Sequence, residues 1–301
     1  MMLDRFSGLA VRHLSPERFA WLRGQYLKLR NGAGPLLMRL NGRFDSDELK
    51  THLRERLGED YQVLMVHSSV NALAPMYTGN SLQLLGMLID LCGPKRTLVM
   101  PAFYFGDPRY QGAMDTFTHQ PRLDLRRTPS QMGLLTELFR RWPGVLHSKH
   151  PVYRVTALGP LAAKITAGHE LADTPTGRGT PFDAMAELDA SILGIGKTSD
   201  VLTQVHHPES VLGDDFPVPW QAQPRQIDMT LVDGAEEIAF AFGNRALLWR
   251  RNMHKLKGIM GRKDLREWRF HGVPMFATRA GLVSRKLIDA AARGQTIYDP
   301  P

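Results

Sequence analysis

One cysteine in 301 residues leaves no partner for an intrachain disulfide and no cysteine-ligated metal centre. That residue, Cys92, lies in the apolar run Leu91-Cys92-Gly93, which predicts core packing. Long hydrophobic runs are missing too. No stretch approaches the roughly 18 apolar residues that cross a bilayer, and the first six residues lack the apolar core of a secretion signal. A reducing cytoplasm is therefore the expected location, with no membrane span. Hydrophobic residues at 43%, charged at 23% and aromatic at 8% exclude disordered and collagen-like chains. What is left is a folded chain long enough to bury its core without staples.

Lysine and arginine total 38 against 30 acidic residues, a net charge of +8, yet the surplus is uneven. Nine basic residues crowd positions 245–269 against Asp264 and Glu267, whereas positions 170–215 carry nine carboxylates against Arg178 and Lys197. The basic run could attract polyanions and the acidic run polycations, or each is a solvated face.

Hydrophobic periodicity gives alternating strands and helices. Residues 1–44 read as an N-terminal extension, with a helix over 15–29 opened by Ser15-Pro16-Glu17 and a breaker at 31–35. Leu49, Leu53 and Leu57 recur every fourth residue up to Gly58, so a second helix begins at Asp45 or Ser46. It leads to the apolar strand Val63-Leu64-Met65-Val66 and the polar cluster His67-Ser68-Ser69. Further helices are expected over 81–91, 133–142, 160–171 and 277–293, and strands over 97–100, 155–158 and 192–195. Two strand-like runs flank Asp233-Gly234, a hairpin signal that makes the sheet mixed. Together these elements predict an α/β protein, a single three-layer α/β/α domain over 45–301 with a central mixed sheet.

The segment richest in chemistry is Thr203-Gln204-Val205-His206-His207-Pro208-Glu209, just after the strand and turn Leu193-Gly194-Ile195-Gly196. Loops at the carboxyl ends of strands are where open α/β sheets place their sites. His206 and Glu209 are three residues apart and share a face of a helix. A carboxylate there can orient a general-base imidazole. Surface histidines beside a helix cap, or a metal pair at His206 and His207, are the alternatives. Metal ranks lowest, because adjacent histidines point about 100° apart on a helix. Val66-His67-Ser68-Ser69, Thr128-Pro129-Ser130-Gln131-Met132-Gly133 and His147-Ser148-Lys149-His150-Pro151 place hydroxyls beside strand ends or helix starts. Free N–H groups there can receive a carbonyl or phosphate, although Thr128 and Ser130 are also ordinary capping residues.

Taken in order, these segments resemble the aminoglycoside 3-N-acetyltransferase family from about Thr51 to the last helix. The family pattern runs V-H-S-S, G-T-L-V-M-P, T-P-S-x-x-G, E-x-x-R-R, R-S-x-H-P, G-S-P, L-L-G-x-G and T-x-x-H-x-x-E. Its counterparts here include Thr97-Leu98-Val99-Met100-Pro101, Leu138-Phe139-Arg140-Arg141 and Gly179-Thr180-Pro181 beside the segments already quoted. The chain departs from the pattern at His147, where the family carries arginine, and at Tyr153-Arg154, where a small hydroxyl residue is common. The resemblance implies acyl transfer from acetyl-CoA to a substrate amine in a ternary complex, with His206 as base and Glu209 behind it. It also implies that His67, Ser68, Ser69, Thr128 and Ser130 line the donor path.

The expected acceptor is a small-molecule amine, an aminoglycoside or another amino sugar. Asp214 and Asp215 in the acidic run are expected to contact it, since carboxylates concentrate cations. A biosynthetic acyltransferase acting on an amino sugar of a surface polysaccharide is an equal alternative. No metal and no nucleic acid are expected, and a homodimer is left open. A reading of another class is a non-catalytic module whose 245–269 run, with Trp249 and Trp268 interleaved, binds nucleic acid or an anionic surface. No Gly-x-Ser-x-Gly elbow is present, which disfavours an acyl-enzyme serine hydrolase.

Overall fold

A computed structural model describes residues 32–222, 226–243 and 245–301, so the helix expected over 15–29 lies outside the described residues. The described chain opens with α1 (Gly34–Asn41), which carries Pro35 in its first turn. Helix α2 (Ser46–Leu57) follows, capped by Asp45 and Glu48 in a reciprocal capping box. Then come β1 (Val63–Ser68), α3 (Val70–Leu73), α4 (Ser81–Cys92) and β2 (Thr97–Pro101). Between these and the next long strand lie α5 (Gly112–His119), β3 (Arg122–Asp124), α6 (Leu134–Arg140) and β4 (Leu146–His147). The middle of the chain forms β5 (Val155–Leu158), α7 (Ala162–Thr166), α8 (Pro181–Glu187), β6 (Ser191–Ile195) and α9 (His206–Leu212). Last are β7 (Ile227–Asp233), β8 (Glu236–Phe242), β9 (Arg250–Arg251), α10 (His254–Met260), β10 (Arg266–Phe270), β11 (Val273–Arg279), α11 (Ala280–Ala292) and β12 (Tyr298–Asp299).

Seven strands form the central sheet in the order β10-β11-β6-β1-β2-β5-β4. The inner three, β6, β1 and β2, are parallel, and the outer ones pair antiparallel. A strand covered on both faces must be apolar at every position. In β1, Val63 and Met65 enter the core shared with α7, α8, α10 and α11. Leu64 and Val66 enter the opposite core, beneath α2, α4 and α6. The result is the expected three-layer α/β/α arrangement. Leu49 and Leu53 of α2 are fully buried there, each stabilising the fold by about 1.5–3 kcal/mol. Cys92 lies in the same core, and burial raises its thiol pKa to about 12.

Three sequence expectations need revision. The 160–171 helix is two pieces, α7 and a short turn at His169–Leu171, because Gly168 adopts a left-handed φ of +70° between them. The β7–β8 hairpin does not join the central sheet. It pairs with β3 in a separate three-stranded sheet, where Phe117 of α5 packs edge-on against Phe242. The central sheet is mixed for other reasons, chiefly the antiparallel β5 and β11. Residues 277–279 belong to β11, which lies beside β6, so the closing helix starts at Ala280. At the other end, Phe44 is 1% exposed and packs against Tyr77, Phe270 and His271, which fastens α1 to the domain.

The parallel core has a functional consequence. All three inner strands deliver their carboxyl ends to one edge, bringing together His67-Ser68, Pro101 and Ile195-Gly196. The turn at Gly196 has φ +69°, and a Cβ there would lie 2.7 Å from the Ser69 carbonyl oxygen. Only glycine fits this close approach.

Candidate active site

A short turn at Thr203–Val205 leads the chain from that edge into α9, whose first residue is His206. Helical spacing brings Glu209 beneath it. The His206 Nδ1 lies 2.7 Å from Glu209 Oε2, and the other carboxylate oxygen, Oε1, accepts a 2.6 Å hydrogen bond from the Tyr298 hydroxyl. Glu209 is 5% exposed, so both oxygens need these donors. Burial, reinforced by Glu209, raises the Tyr298 pKa and keeps the phenol protonated as a donor. The outer ring nitrogen, Nε2, meets the Arg251 guanidinium. Arginine can only donate, so its partner nitrogen carries a lone pair and the proton of the neutral ring sits on Nδ1, toward Glu209. Arg251 and Tyr298 are themselves directly opposed in the β9–β12 ladder. One small antiparallel pair thereby supports both halves of the dyad.

His207 faces elsewhere. Its Nδ1 lies 2.9 Å from Ser284 Oγ and its Nε2 3.1 Å from Asp183, and burial lowers its pKa against the opposing pull of Asp183. Both nitrogens serve packing between α8, α9 and α11. Two cavities meet at His206. One, of about 220 Å³, is lined by Asp173, Thr176, Ser210, Trp220 and Arg245. The other, of about 410 Å³, runs from His67 and Ser68 past Phe103 and Met132 to Lys197 and Arg251. His206 and Tyr153 line both. The His206 ring, with Arg251 against its Nε2, thus stands in the wall between the two cavities.

A sequence profile of the aminoglycoside 3-N-acetyltransferase family matches residues 65–289. The chain belongs to that family. Aminoglycoside N(3)-acetyltransferase IX of Micromonospora chalcea is 29% identical over 185 residues, a stretch that covers 58% of this chain and 65% of the relative. The chain thus spans just under two thirds of that relative's own length. The crystal structure of aminoglycoside acetyltransferase AAC(3)-Xa superposes with a TM-score of 0.68 at 21% identity, covering 87% of this chain and 99% of that one. AAC-IIIb in a binary complex with CoASH gives 0.67 at 20% identity, covering 85% and 99%. These structural likenesses establish the fold.

On this aminoglycoside 3-N-acetyltransferase fold the remaining expected residues separate into two groups. His67 and Ser68 line the larger cavity. His67 is 5% exposed, its Nε2 has no partner among the described residues, and burial with help from Lys197 lowers its pKa to about 4, so the ring is neutral. Ser69 precedes α3 without a side-chain capping bond and donates its N–H to the Ile195 carbonyl at 2.9 Å. The Thr128 hydroxyl donates to the Asp124 carbonyl, and the Thr128 carbonyl accepts from buried Arg154. The Ser130 hydroxyl pairs with Thr136 and accepts from the Met132 N–H. Thr128 and Ser130 therefore shape the loop, while Gln131, Met132 and Thr136 line the cavity. Asp214 and Asp215 sit on an exposed turn, and Asp214 pairs with Arg245 at 3.0 Å.

Two departures from the family pattern have structural roles. His147 donates from Nε2 to the Arg140 carbonyl, 2.9 Å away. Buried Arg154 also binds the Leu125 carbonyl. Between them, His150 accepts the N–H groups of Val152 and Tyr153 and stacks on His169. His169 bridges Ser148 and the Pro175 carbonyl, joining the Tyr153 loop to the wall of the smaller cavity.

The charge runs do not form single faces. Of the basic run, Arg245 pairs with Asp214, Lys255 with Asp299, and Lys257 with Glu267. Trp249 packs on one face of the sheet and Trp268 on the other, so no continuous stacking surface forms. The acidic run is dispersed likewise, Asp183 going to His207 and Asp189 to Arg279. Sequence reasoning missed Arg251, hidden in the basic run, and Tyr298, which no pattern marks. Among the described residues no group of three or more metal-ligating side chains occurs, and no helix is long and apolar enough to cross a membrane.

Proposed function

We propose that this chain is an acyl-CoA-dependent N-acyltransferase that acylates an amine of an aminoglycoside or another amino sugar, with His206 as general base. The observation that carries this reading is His206 itself, tied at Nδ1 to Glu209 and presenting Nε2 where two cavities meet. Lys197 and Arg251 against Asp200 leave the larger cavity a net positive lining, suited to an anionic donor, and a structural neighbour binds CoASH. The acyl-pantetheine arm enters there and the amine enters the smaller cavity.

The neutral amine displaces the Arg251 guanidinium from Nε2 and attacks the thioester carbonyl as Nε2 takes one of its protons, and Glu209 stabilises the imidazolium that forms. A C–N bond forms and the carbonyl becomes a tetrahedral oxyanion. Cationic Arg251 and the Ser68 hydroxyl stand at the same wall as donors for that charge. The Ser69 N–H is not available, being bonded to Ile195. Collapse breaks the C–S bond, and the imidazolium proton passes to the departing thiolate, giving the N-acyl product and CoA. Acetyl-CoA is expected to raise the melting temperature without any amine, since a ligand of the folded state stabilises it by mass action. Thiol release should then require an acceptor with a free amine. Absence of any shift with acetyl-, propionyl-, malonyl- or free CoA overturns the reading.

A further inference from the structure

The smaller cavity has the wrong charge for a polycation. Among the described residues its only carboxylates are Asp173 and Glu209, and both Glu209 oxygens are already engaged by His206 and Tyr298. Asp173 alone is left to meet an ammonium. Asp214, expected from the sequence to contact the acceptor, does not line the cavity: its side chain is 84% exposed and pairs with Arg245. Cations bracket the base instead. Arg251 touches Nε2 from the donor side, and Arg245 lines the acceptor cavity.

Arg245 is also held as a binding group would be. Its guanidinium lies over the Trp220 ring, 5.3 Å from the centroid, and that ring is fixed by its own N–H donating to the Gly213 carbonyl at 2.7 Å. The Arg245 Nε is buried and has no partner among the described residues, while the side chain as a whole is 34% exposed and leaves its terminal nitrogens for a ligand. Its single ion pair, to exposed Asp214, is of the weak surface kind that a better-placed anion displaces. Size points the same way. At about 220 Å³ the cavity is below the roughly 300–1,000 Å³ of sites that enclose drug-sized ligands, and has room for a single sugar ring.

We infer that the acceptor is a small amino sugar with one reactive amine and an anionic substituent, phosphate or carboxylate, with the amine at His206 and the oxyanion on Arg245. This rests on the N-acyltransferase reading of His206. Guanidinium forks bind both kinds of oxyanion through paired charge-assisted hydrogen bonds, so the acceptor panel separates them. It comprises glucosamine, glucosamine 6-phosphate, UDP-glucosamine, 2-amino-2-deoxyglucuronate and gentamicin. Each is assayed by acetyl-CoA-dependent thiol release and, in parallel, by the thermal shift it produces in the full chain with and without CoA.

At least one anionic amine should exceed both glucosamine and gentamicin in kcat/KM or thermal shift by about tenfold or more. Arg245→Gln should reduce that advantage over glucosamine about tenfold, through KM. Preference for gentamicin overturns the inference, as does an advantage that survives Arg245→Gln or a panel in which no anionic amine shifts the protein. Failure of every CoA species to bind would instead remove the acyltransferase reading. The Arg245-dependent shift without CoA would still report on the anion site.

Discussion

Glu209 accepts from His206 through one oxygen and from Tyr298 through the other, which makes it the residue with the least freedom at the site. His206→Ala should lower kcat by about a hundredfold or more while leaving the melting temperature nearly unchanged. His207→Asn should do the reverse, because His207 bridges Asp183 and Ser284 in the core. Comparable kcat losses at the two positions would remove the assignment of the base. In Glu209→Gln the amide oxygen still accepts from His206 while the NH2 donates to the Tyr298 hydroxyl, which turns to accept, so the substitution keeps both bonds and removes the charge that stabilises the imidazolium. Tyr298→Phe breaks only the outer one. Both act on one carboxylate, so their effects on kcat should be non-additive in a double-mutant cycle, with a coupling of about 0.5–3 kcal/mol. Strict additivity would mean that Tyr298 does not act through Glu209. The i, i+3 spacing put His206 and Glu209 on one face and the family resemblance singled them out, whereas Tyr298 was not legible, since an 89-residue separation leaves no local trace.

At the scale of elements, the dyad stands on three pieces of chain that are far apart in sequence: α9, β9 and β12. Pairing of Tyr298 with Arg251 and of Asp299 with Arg250 makes β12 a brace for β9. Deleting residues 298–301 should cost more activity than Tyr298→Phe, because it also releases the ladder that aims Arg251 at Nε2. Equal kcat values for the deletion and the point variant would show that the ladder contributes nothing. Hydrophobic period and capping residues revealed the long elements well. Asp45 and Gly58 bound α2 where leucine spacing placed it, and the apolar run Val63 to Val66 is the centre of a strand covered on both faces. Two-residue strands such as β9 carry no period, and arginine pairs give no hydropathy signal. The sequence therefore offered Arg251 only as one charge among nine. For the same reason, Thr128 and Ser130 were legible as capping-type hydroxyls, while their actual partners, Asp124 and Thr136, depended on how the loop folds back.

Across the whole molecule, histidines set the acid limit of stability. His67 and His169 are buried, and desolvation lowers the pKa of each from 6.5 to about 4. His150 is lowered as well, by burial and by the neighbouring His169. Below pH 6.5 the unfolded chain takes up protons that these rings refuse in the fold, so stability is lost as pH falls from 6.5 toward 4. Urea unfolding at pH 7.5, 6 and 5 should show this decline, and His169→Gln should flatten it. A slope unchanged by His169→Gln would place the acid sensitivity elsewhere. The three-layer architecture was readable from strand–helix alternation, but the separation of the β7–β8 hairpin into its own sheet was not, because register between distant strands is a tertiary outcome. The wall that His206 and Tyr153 share between the two cavities bears on the order in which substrates arrive. Neither reactant has to pass the other's binding place, so addition should be random. An acceptor analogue lacking the amine should be a noncompetitive inhibitor against acetyl-CoA, and a non-transferable CoA thioether noncompetitive against the amine. An uncompetitive pattern in either experiment would reveal an obligatory sequence, in which one cavity opens only after the other has been filled.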